Sequence, residues 1–443
     1  MKKTYIDTAM ERIAPDLILK GGNVVDVFSG RVIKADVIIK DGIICGVGSY
    51  SGENEQDVSG KYIMPGFIDS HVHIESSMTQ PSEYAKAVMP HGITTVIADP
   101  HEITNVCGED GLEFMLKSAK NIPLDVNLML PSCVPATPFE HTGANLDAKT
   151  TQKLAPKFFG IGEMMNYPGI VSGDDETLGK LCLDIIDGHA PLLSGHELDA
   201  YASAGIKTDH ECSVVEEMTE KISKGMYILL REGTLSLDVA KLIKGVTPYT
   251  LRRCAFCTDD RFVGEIIRDG SIDHCIRKAV SLGLNNIDAI IMATLNACEM
   301  YGMKNKGAIA PSYVADIVVA DDLNLSSITQ VYKNGKLVCE NGKALFECET
   351  VDNSKVTNTV HLPKISADFF KTDVKDKFDA IELIPESIIT KKVTVSYSDS
   401  LSKVCVIERH HNLGTKGIGF VTNYGITNGA IATSIDHDSH NVI

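Results

Sequence analysis

Long hydrophobic segments are missing from this chain of 443 residues. The N-terminal residues 1–16 include lysines but lack the apolar core of a signal peptide, and no apolar run reaches transmembrane length. Basic residues are outnumbered, with 42 lysines and arginines against 59 acidic residues and a net charge of −17. We therefore expect neither a membrane nor a nucleic acid as a partner, because a phosphate backbone attracts basic surfaces.

Paired cysteines are also scarce, since only Cys254 and Cys257 among the 12 cysteines stand in a CxxC spacing. This distribution disfavours a disulfide framework and favours a reducing cytoplasm as the location of the protein. A zinc knuckle would need a second CxxC pair, which the sequence does not contain. What the chain does have is 44% hydrophobic and 23% charged residues, typical of a globular protein, and a length that predicts two or three domains.

Two segments with the same pattern of short strands and tight turns flank a central region with a different pattern. Residues 17–48 and 315–346 contain short runs of β-forming residues separated by GG, SG, DG and NG turns. Because they lie on both sides of the centre, we predict one small β-sandwich domain built from residues 1–64 and 308–347. Residues 348–443 are predicted to form a further β-rich region that is incomplete, as in a truncated domain.

The central region, residues 65–307, alternates between strand-like and amphipathic helical stretches. This alternation over a length close to that of known examples predicts an α/β fold of the (β/α)8 TIM-type barrel class. The weakest strands are the third, which carries no reactive group, and the fifth, which could be a helix ending at Gly188. The eight strand candidates lie within residues 66–73, 94–102, 125–133, 158–165, 183–190, 205–211, 226–233 and 254–261.

Ionisable residues stand at the end of nearly every predicted strand. Barrel enzymes build their active sites from the carboxyl ends of the strands, so these side chains should converge. Histidines and acids gathered in this way would be electrostatically costly without a cation, and together they predict a metal site. The residues, in strand order, are His71 and His73, Asp99 and His101, Glu163, His189, His210, Arg231, and Asp259 with Asp260.

The types of these donors suggest a reaction. Imidazole and carboxylate without thiolate favour divalent zinc, manganese or iron, and six candidates exceed what one tetrahedral ion needs, so a two-metal site is predicted. Glu163 on the fourth strand is suited to bridging two ions. Metal lowers the pKa of bound water and yields hydroxide, and Asp259 is the candidate proton shuttle, with Asp260 less favoured. The predicted chemistry is hydrolytic attack on an electrophilic carbon.

The amino-acid sequences of the motifs narrow the class of hydrolytic reaction. GFIDSHVHIESSM, TTVIADPHEITNV, GIGEMMN, GHAPLLSG, AGIKTDHE and CTDDR resemble the bacterial adenine deaminases, a family of the amidohydrolase superfamily. The resemblance implies hydrolysis of adenine to hypoxanthine and ammonia, two divalent ions with manganese or iron ahead of zinc, and a homo-oligomer, expected as a dimer. It also implies a carboxylate bridge in place of the carbamylated lysine of many superfamily members. The implied ligands are His71, His73, Glu163, His189, His210 and Asp259.

Other assignments stay open at this point. The candidates for reading the purine are His101, Glu102 and Arg231, and for Arg231 a salt-bridged structural role is an equal alternative. The loops after TDDR and REG depart from the family pattern, so a cytosine deaminase or dihydroorotase type of activity is an alternative, as is an inactive fragment that only binds metal. Extra histidines near the C-terminus are interpreted as loop or tail residues rather than ligands, namely His410, His411, His437 and His440.

Overall fold

The computed structural model describes residues 2–373, 376–385, 389–398, 401–435 and 438–443. The strands are β1 (Leu17–Asp26), β2 (Arg31–Lys40), β3 (Ile43–Gly48), β4 (Glu55–Asp57), β5 (Tyr62–Pro65), β6 (Phe67–Val72), β7 (Ile93–Ala98), β8 (Asp125–Leu130), β9 (Gly160–Met164), β10 (Ile186–Gly188), β11 (Thr208–Asp209), β12 (Tyr227–Arg231), β13 (Cys254–Cys257), β14 (Ile317–Ala320), β15 (Ile328–Lys333), β16 (Lys336–Glu340), β17 (Lys343–Ala344), β18 (Lys377–Leu383), β19 (Thr390–Ser396), β20 (Ser402–Ile407) and β21 (Lys416–Thr422).

The α-helices are α1 (Lys2–Ala9), α2 (Pro81–Val88), α3 (His101–Ser118), α4 (Ala148–Leu154), α5 (Tyr167–Ser172), α6 (Asp175–Gly179), α7 (Gly195–Ser203), α8 (Val215–Ser223), α9 (Val239–Leu242), α10 (Val263–Asp269), α11 (Ile272–Ser281), α12 (Asn286–Met292) and α13 (Leu295–Met300). Helix α3 is kinked at Gly108, whose φ is 56°. Within the described ranges, every helix is too short or too polar to cross a membrane.

Strands from both sides of the barrel segment form one nine-stranded sheet. Its order is β17-β16-β15-β14-β5-β1-β2-β3, and β4 pairs with β1. Strand β5, which leads into the barrel, runs antiparallel to β14, which follows the barrel. The NG turns before β16 and β17 have positive φ at both residues, as tight hairpins require, which confirms the hairpins predicted from the sequence.

Eight parallel strands, β6 to β13, make the barrel and confirm the predicted fold class. Five of them are ordered β10-β9-β8-β7-β6 and three are ordered β11-β12-β13. A parallel bridge between Val72 and Asp259 joins the first strand to the residues after the eighth, and the Gly188 N–H donates to Thr208 Oγ1 at 3.0 Å between the fifth and sixth. The two strands with weak sequence signals are both present, although β10 has only 3 residues.

The main hydrophobic core lies between the barrel strands and the helices outside them. Phe67, Ile228 and Phe256 come from strands, while Val88 and Ile276 come from helices, and all five are buried. Strands β6 and β7 are buried along their whole length, as expected for parallel strands covered on both faces. Close packing of this kind holds the carboxyl ends of the strands in fixed relative positions.

The C-terminal region forms a separate four-stranded sheet, ordered β19-β18-β21-β20. Its strands are far less buried than those of the barrel, and β19 has no buried residue. Beyond β21 the chain returns along the sheet edge, where Ile407 and Val442 form an antiparallel bridge. This return brings residues 438–443 to the carboxyl end of the barrel.

Candidate active site

The two histidines of the HVH motif meet at the end of β6. His71 and His73 project to the same side, as alternate residues of a strand do, and their Nε2 atoms lie 3.2 Å apart. Nδ1 of His73 lies 2.8 Å from the backbone oxygen of Asp99, a partner that leaves Nε2 available as a lone-pair donor. Both side chains are buried, so two ring nitrogens this close fit a shared cation.

Glu163, at the end of β9, contacts imidazoles with both of its oxygens. Its Oε2 lies 2.7 Å from His189 Nδ1 and 3.2 Å from His210 Nε2, while its Oε1 lies 3.5 Å from His73 Nε2 and 3.2 Å from His101 Nδ1. Burial would raise the pKa of Glu163, but His189 and His210 hold it well below its usual range. One carboxylate with separate imidazoles on its two oxygens has the arrangement of a bridging ligand.

Asp259 follows β13 in a left-handed conformation, with a φ of 56° that aspartate tolerates better than most residues. Its N–H donates to the His71 carbonyl at 3.0 Å, and its carbonyl accepts from the His73 N–H at 3.1 Å. Its Oδ1 lies 3.2 Å from His73 Nε2, and its Oδ2 accepts from Arg231 Nη1 at 2.8 Å. The neighbouring Asp260 accepts a hydrogen bond from Ser76 Oγ, nearer the surface.

The ionisable groups of the site shift one another's pKa values. Burial would raise the pKa of Asp259, but the hydrogen bond with His73 and the charge of Arg231 hold it well below its usual range. Burial would lower the pKa of His210, but its hydrogen bond with Glu163 raises it to about 9. The buried carboxylates and imidazoles therefore stabilise each other's charged forms, and the atoms that share protons here are also lone-pair donors for a cation.

Arg231 is surrounded by acidic side chains rather than open to solvent. It forms close ion pairs with Glu211, with Asp238 at 3.1 Å and with Asp259 at 2.8 Å, and it is 4% exposed. A buried guanidinium needs this degree of pairing to offset its desolvation. The contacts correspond to the salt-bridged alternative for this residue.

The donors fit a divalent site. Sets of three lone-pair atoms lie within 4.8 Å of one another, and the sets formed by predicted ligands each contain at least one imidazole and one carboxylate. A further set adds the Cys133 sulfur to His101 and Glu163. Glu163 belongs to more than one set, so a single ion does not use all the donors. The sets that contain the predicted ligands are His71, His73 and Glu163; His71, His210 and Asp259; and Glu163, His189 and His210.

A cavity of about 360 Å³ opens beside this cluster. That volume lies at the lower end of the range of roughly 300–1,000 Å³ for small-molecule sites. Among the described residues, the lining includes Glu102, Asp259 and Asp260 but neither His101 nor Arg231. A larger cavity of about 970 Å³ lies along residues 132–145, and its described lining contains none of the six predicted ligands. The smaller cavity is therefore the candidate substrate site.

Glu75 is a lining residue to which the sequence analysis gave no role. Its Oε1 accepts from the Ile103 N–H at 3.2 Å, and its Oε2 has no hydrogen-bond partner among the described residues. Burial raises the pKa of Glu75 to about 7. Its position two residues after His73, in the motif HVHIE, is a signal by which it could have been found.

The C-terminal histidines take different positions. His410 Nε2 contacts the Ser439 carbonyl at 2.7 Å and His411 Nε2 contacts the Thr142 carbonyl at 3.1 Å, so neither contacts the ligand cluster through these atoms. His440, by contrast, contacts Glu102 Oε2 and lines the smaller cavity. His437 lies outside the described residues. No local pattern could have linked His440 to Glu102, because the contact spans 338 residues of sequence.

Comparisons with known proteins bear on this geometry. The sequence profile of the amidohydrolase family matches residues 62–338, and that of the adenine deaminase C-terminal domain matches residues 383–443. A protein of Desulfotalea psychrophila named adenine deaminase 2 is 45% identical in an alignment of 461 positions, gaps included. The alignment covers 100% of this chain and 80% of the relative. The adenine deaminase of Clostridium acetobutylicum is 47% identical over 458 residues, covering 99% of this chain and 80% of the relative.

Solved structures support the fold. Enamidase has a TM-score of 0.57 at 18% identity, with 75% of this chain and 97% of the enamidase chain covered. A β-aspartyl dipeptidase of Fervidobacterium islandicum has a TM-score of 0.54 at 19% identity, with 76% of this chain and 98% of that chain covered. At these identities the likeness extends to the barrel fold alone.

Proposed function

This chain belongs to the adenine deaminases of the amidohydrolase family, and we propose that it hydrolyses adenine to hypoxanthine and ammonia at the carboxyl end of its barrel. The observation that carries the proposal is the position of Glu163 between two sets of imidazoles. A family with metal-dependent hydrolytic chemistry requires such a cluster, and relatives that carry the name adenine deaminase match along nearly the whole chain.

As a member of this family the chain binds divalent metal, and the donor set supports two ions. His71, His73, Glu163, His189, His210 and Asp259 would hold them. When bound, the ions supply water activated for attack at neutral pH. Imidazole and carboxylate donors suit divalent zinc, manganese or iron, and the resemblance to the adenine deaminases favours manganese or iron over zinc.

The contacts of Asp259 support a role in proton transfer. Its Oδ2 is held by Arg231, while its Oδ1 faces the histidine cluster, so one oxygen is fixed and the other is available. Asp259 would accept a proton from the attacking water and deliver a proton to the amine that leaves carbon 6 as ammonia. The new carbon–oxygen bond replaces the carbon–nitrogen bond, which gives hypoxanthine.

Of the three residues predicted to contact the purine, Glu102 is the one whose position supports a direct contact. Glu102 lines the cavity, so its carboxylate is suited to accept a hydrogen bond from an N–H of the base. His101 lies behind Glu102, with its Nε2 3.2 Å from Glu102 Oε1, and would orient that carboxylate. The ion pairs of Arg231 support a role in holding Asp259 rather than in contacting the base.

A substrate panel tests the function. The metal-loaded chain should convert adenine to hypoxanthine, seen as an absorbance change, with one ammonia released for each adenine consumed. Cytosine and dihydroorotate are tested separately as alternative substrates. Turnover of either with no turnover of adenine would contradict the proposal in favour of another cyclic amidine or amide hydrolase.

A further inference from the structure

Two described segments, residues 433–435 and 438–443, are joined by two backbone hydrogen bonds between Thr433 and Ile443, at 2.9 and 3.0 Å, and we call the two segments together the C-terminal hairpin. Ile407 and Val442 exchange two backbone hydrogen bonds, at 2.7 and 3.0 Å, which tie the hairpin to the edge of the C-terminal sheet. Asn441 Nδ2 donates to the His141 carbonyl at 2.9 Å, which ties it to a loop of the barrel. The hairpin is therefore held on two sides.

The C-terminal hairpin contacts Glu102 through Asp438 and His440. The Asp438 N–H donates to Glu102 Oε2 at 3.2 Å, and His440 Nε2 contacts the same oxygen. The other oxygen of Glu102 lies 3.2 Å from His101 Nε2, and His101 Nδ1 lies 3.2 Å from Glu163 Oε1. A continuous row of polar contacts therefore runs from the hairpin to the candidate bridging carboxylate, with Glu102 held between them.

The hairpin also contributes one residue, Ile435, to the apolar wall of the cavity. Met78, Leu235, Phe262 and Ile435 line it from four different segments, and each is between 46% and 72% exposed. A purine has two apolar faces and a polar edge, so it needs both a carboxylate and exposed apolar side chains to cover it. Ile435 and the contact of His440 with Glu102 bring one feature of each kind from the same hairpin.

We propose that the C-terminal hairpin is a substrate-recognition element, in which His440 positions Glu102 against the polar edge of the purine and Ile435 covers one face. The inference rests on the proposed function, since it takes adenine as the substrate. His440 is a positioning residue because it acts through Glu102. Neither His440 nor Ile435 is a predicted metal ligand, so their loss should change binding of the base and leave the metal in place.

The test compares single variants of the full metal-loaded chain. His440→Ala should raise the KM for adenine about 10- to 100-fold, since a hydrogen bond to a charged group is removed. His440→Gln should recover much of this loss, because its amide can donate to Glu102. Ile435→Ala should raise KM about 10-fold through lost apolar contact. The kcat of each variant should change less than its KM.

Binding of hypoxanthine gives a second readout that does not depend on turnover. Its Kd, measured by calorimetry, should rise by factors similar to those in KM, while the metal content and the thermal unfolding midpoint stay at wild-type values. The matched controls are His361→Ala and Ile431→Ala, which remove the same side chains at exposed positions of the same region. Both controls should behave as the wild type does.

The outcomes separate this inference from the proposed function. Wild-type chain that produces no hypoxanthine from adenine overturns both. Wild-type turnover together with an unchanged KM and Kd in His440→Ala overturns only the inference. Loss of metal or of folding in His440→Ala, with the remaining folded protein binding hypoxanthine normally, would show that the hairpin is a structural support and would also overturn it.

Discussion

The carboxyl end of the barrel and the C-terminal region contribute to the same cavity in different ways. The predicted ligands come from five barrel strands, are almost all buried, and contact one another directly. The C-terminal sheet is mostly exposed, and the described residues of this region that line the cavity are Ile435 and His440 of the C-terminal hairpin. The difference indicates that the bond-breaking groups lie where close packing fixes them, while part of the outer wall comes from a segment held by a few hydrogen bonds to the sheet edge and to one barrel loop.

The largest effect is expected from removing the histidine pair. His71→Ala with His73→Ala should empty at least one metal position and abolish deamination, because the site loses two of its four predicted imidazole ligands. Metal analysis of the purified variant checks this. His361→Ala with His411→Ala is the matched control, since both residues lie in the C-terminal region. Full metal occupancy in the His71 and His73 variant would refute their assignment as ligands.

The second-largest effect is expected at Asp259, where catalysis should be lost while binding of metal and of hypoxanthine is kept. Asp259→Asn should keep most of the metal and still bind hypoxanthine, while kcat falls by about 10²- to 10⁴-fold, because the proton carrier is gone. Asp260→Asn is the control and should lose less, since the Asp260 carboxylate accepts a hydrogen bond from Ser76 and lies nearer the surface. The reverse ranking would show that Asp260 is the shuttle.

A smaller change in activity, but a clear one in stability, is expected at Lys221. Its Nζ donates to the Ala190 carbonyl at 2.6 Å, to Asp209 at 2.9 Å and to Glu217 at 2.7 Å, in a fully buried position. Lys221→Met would leave two carboxylates uncompensated and should lower the free energy of unfolding by about 3–5 kcal/mol.

Denaturant unfolding of Lys221→Met beside Lys224→Met checks this expectation. Lys224 ends the same helix but lies near the surface, so its variant should unfold close to wild type. Equal stability of the two variants would mean that the buried lysine does not support the segments carrying His189 and His210.

The smallest effect is expected in the C-terminal sheet. Lys392 pairs with Asp379 at 2.7 Å, but both side chains are more than half exposed. Exposed pairs contribute little, so Lys392→Ala should leave the thermal unfolding midpoint and the KM for adenine unchanged. A marked rise in KM would show that the whole sheet, and not only its hairpin, controls the cavity.

Much of the barrel was predictable because the patterns that indicate its strands and helices lie within short stretches of sequence. Most of the strands are short apolar runs followed by an ionisable residue, and the alternation in HVH alone predicts that His71 and His73 share a face. The amphipathic stretches ELDAYASAG and VVEEMTEKISKG were likewise found as α7 and α8. Strands β10 and β11 have only 3 and 2 residues, so the predicted stretches marked their positions but not their lengths.

The contacts around Arg231 and Glu102 were not predictable in the same way. Whether Arg231 reads a substrate or pairs with acids depends on Glu211, Asp238 and Asp259, which folding brings together from separate strands and loops. The contact of His440 with Glu102 joins residues that are 338 positions apart in the sequence. A single sequence holds no periodicity or turn signal for such pairs.

Metal content and adenine turnover, measured together on the wild type and on Glu163→Gln, test the central claim most directly. The account predicts close to two divalent ions per wild-type chain, and a joint fall in metal content and turnover in Glu163→Gln, because an amide bridges two cations poorly. Wild-type metal content with wild-type turnover in Glu163→Gln would contradict it and return Glu163 to a structural role.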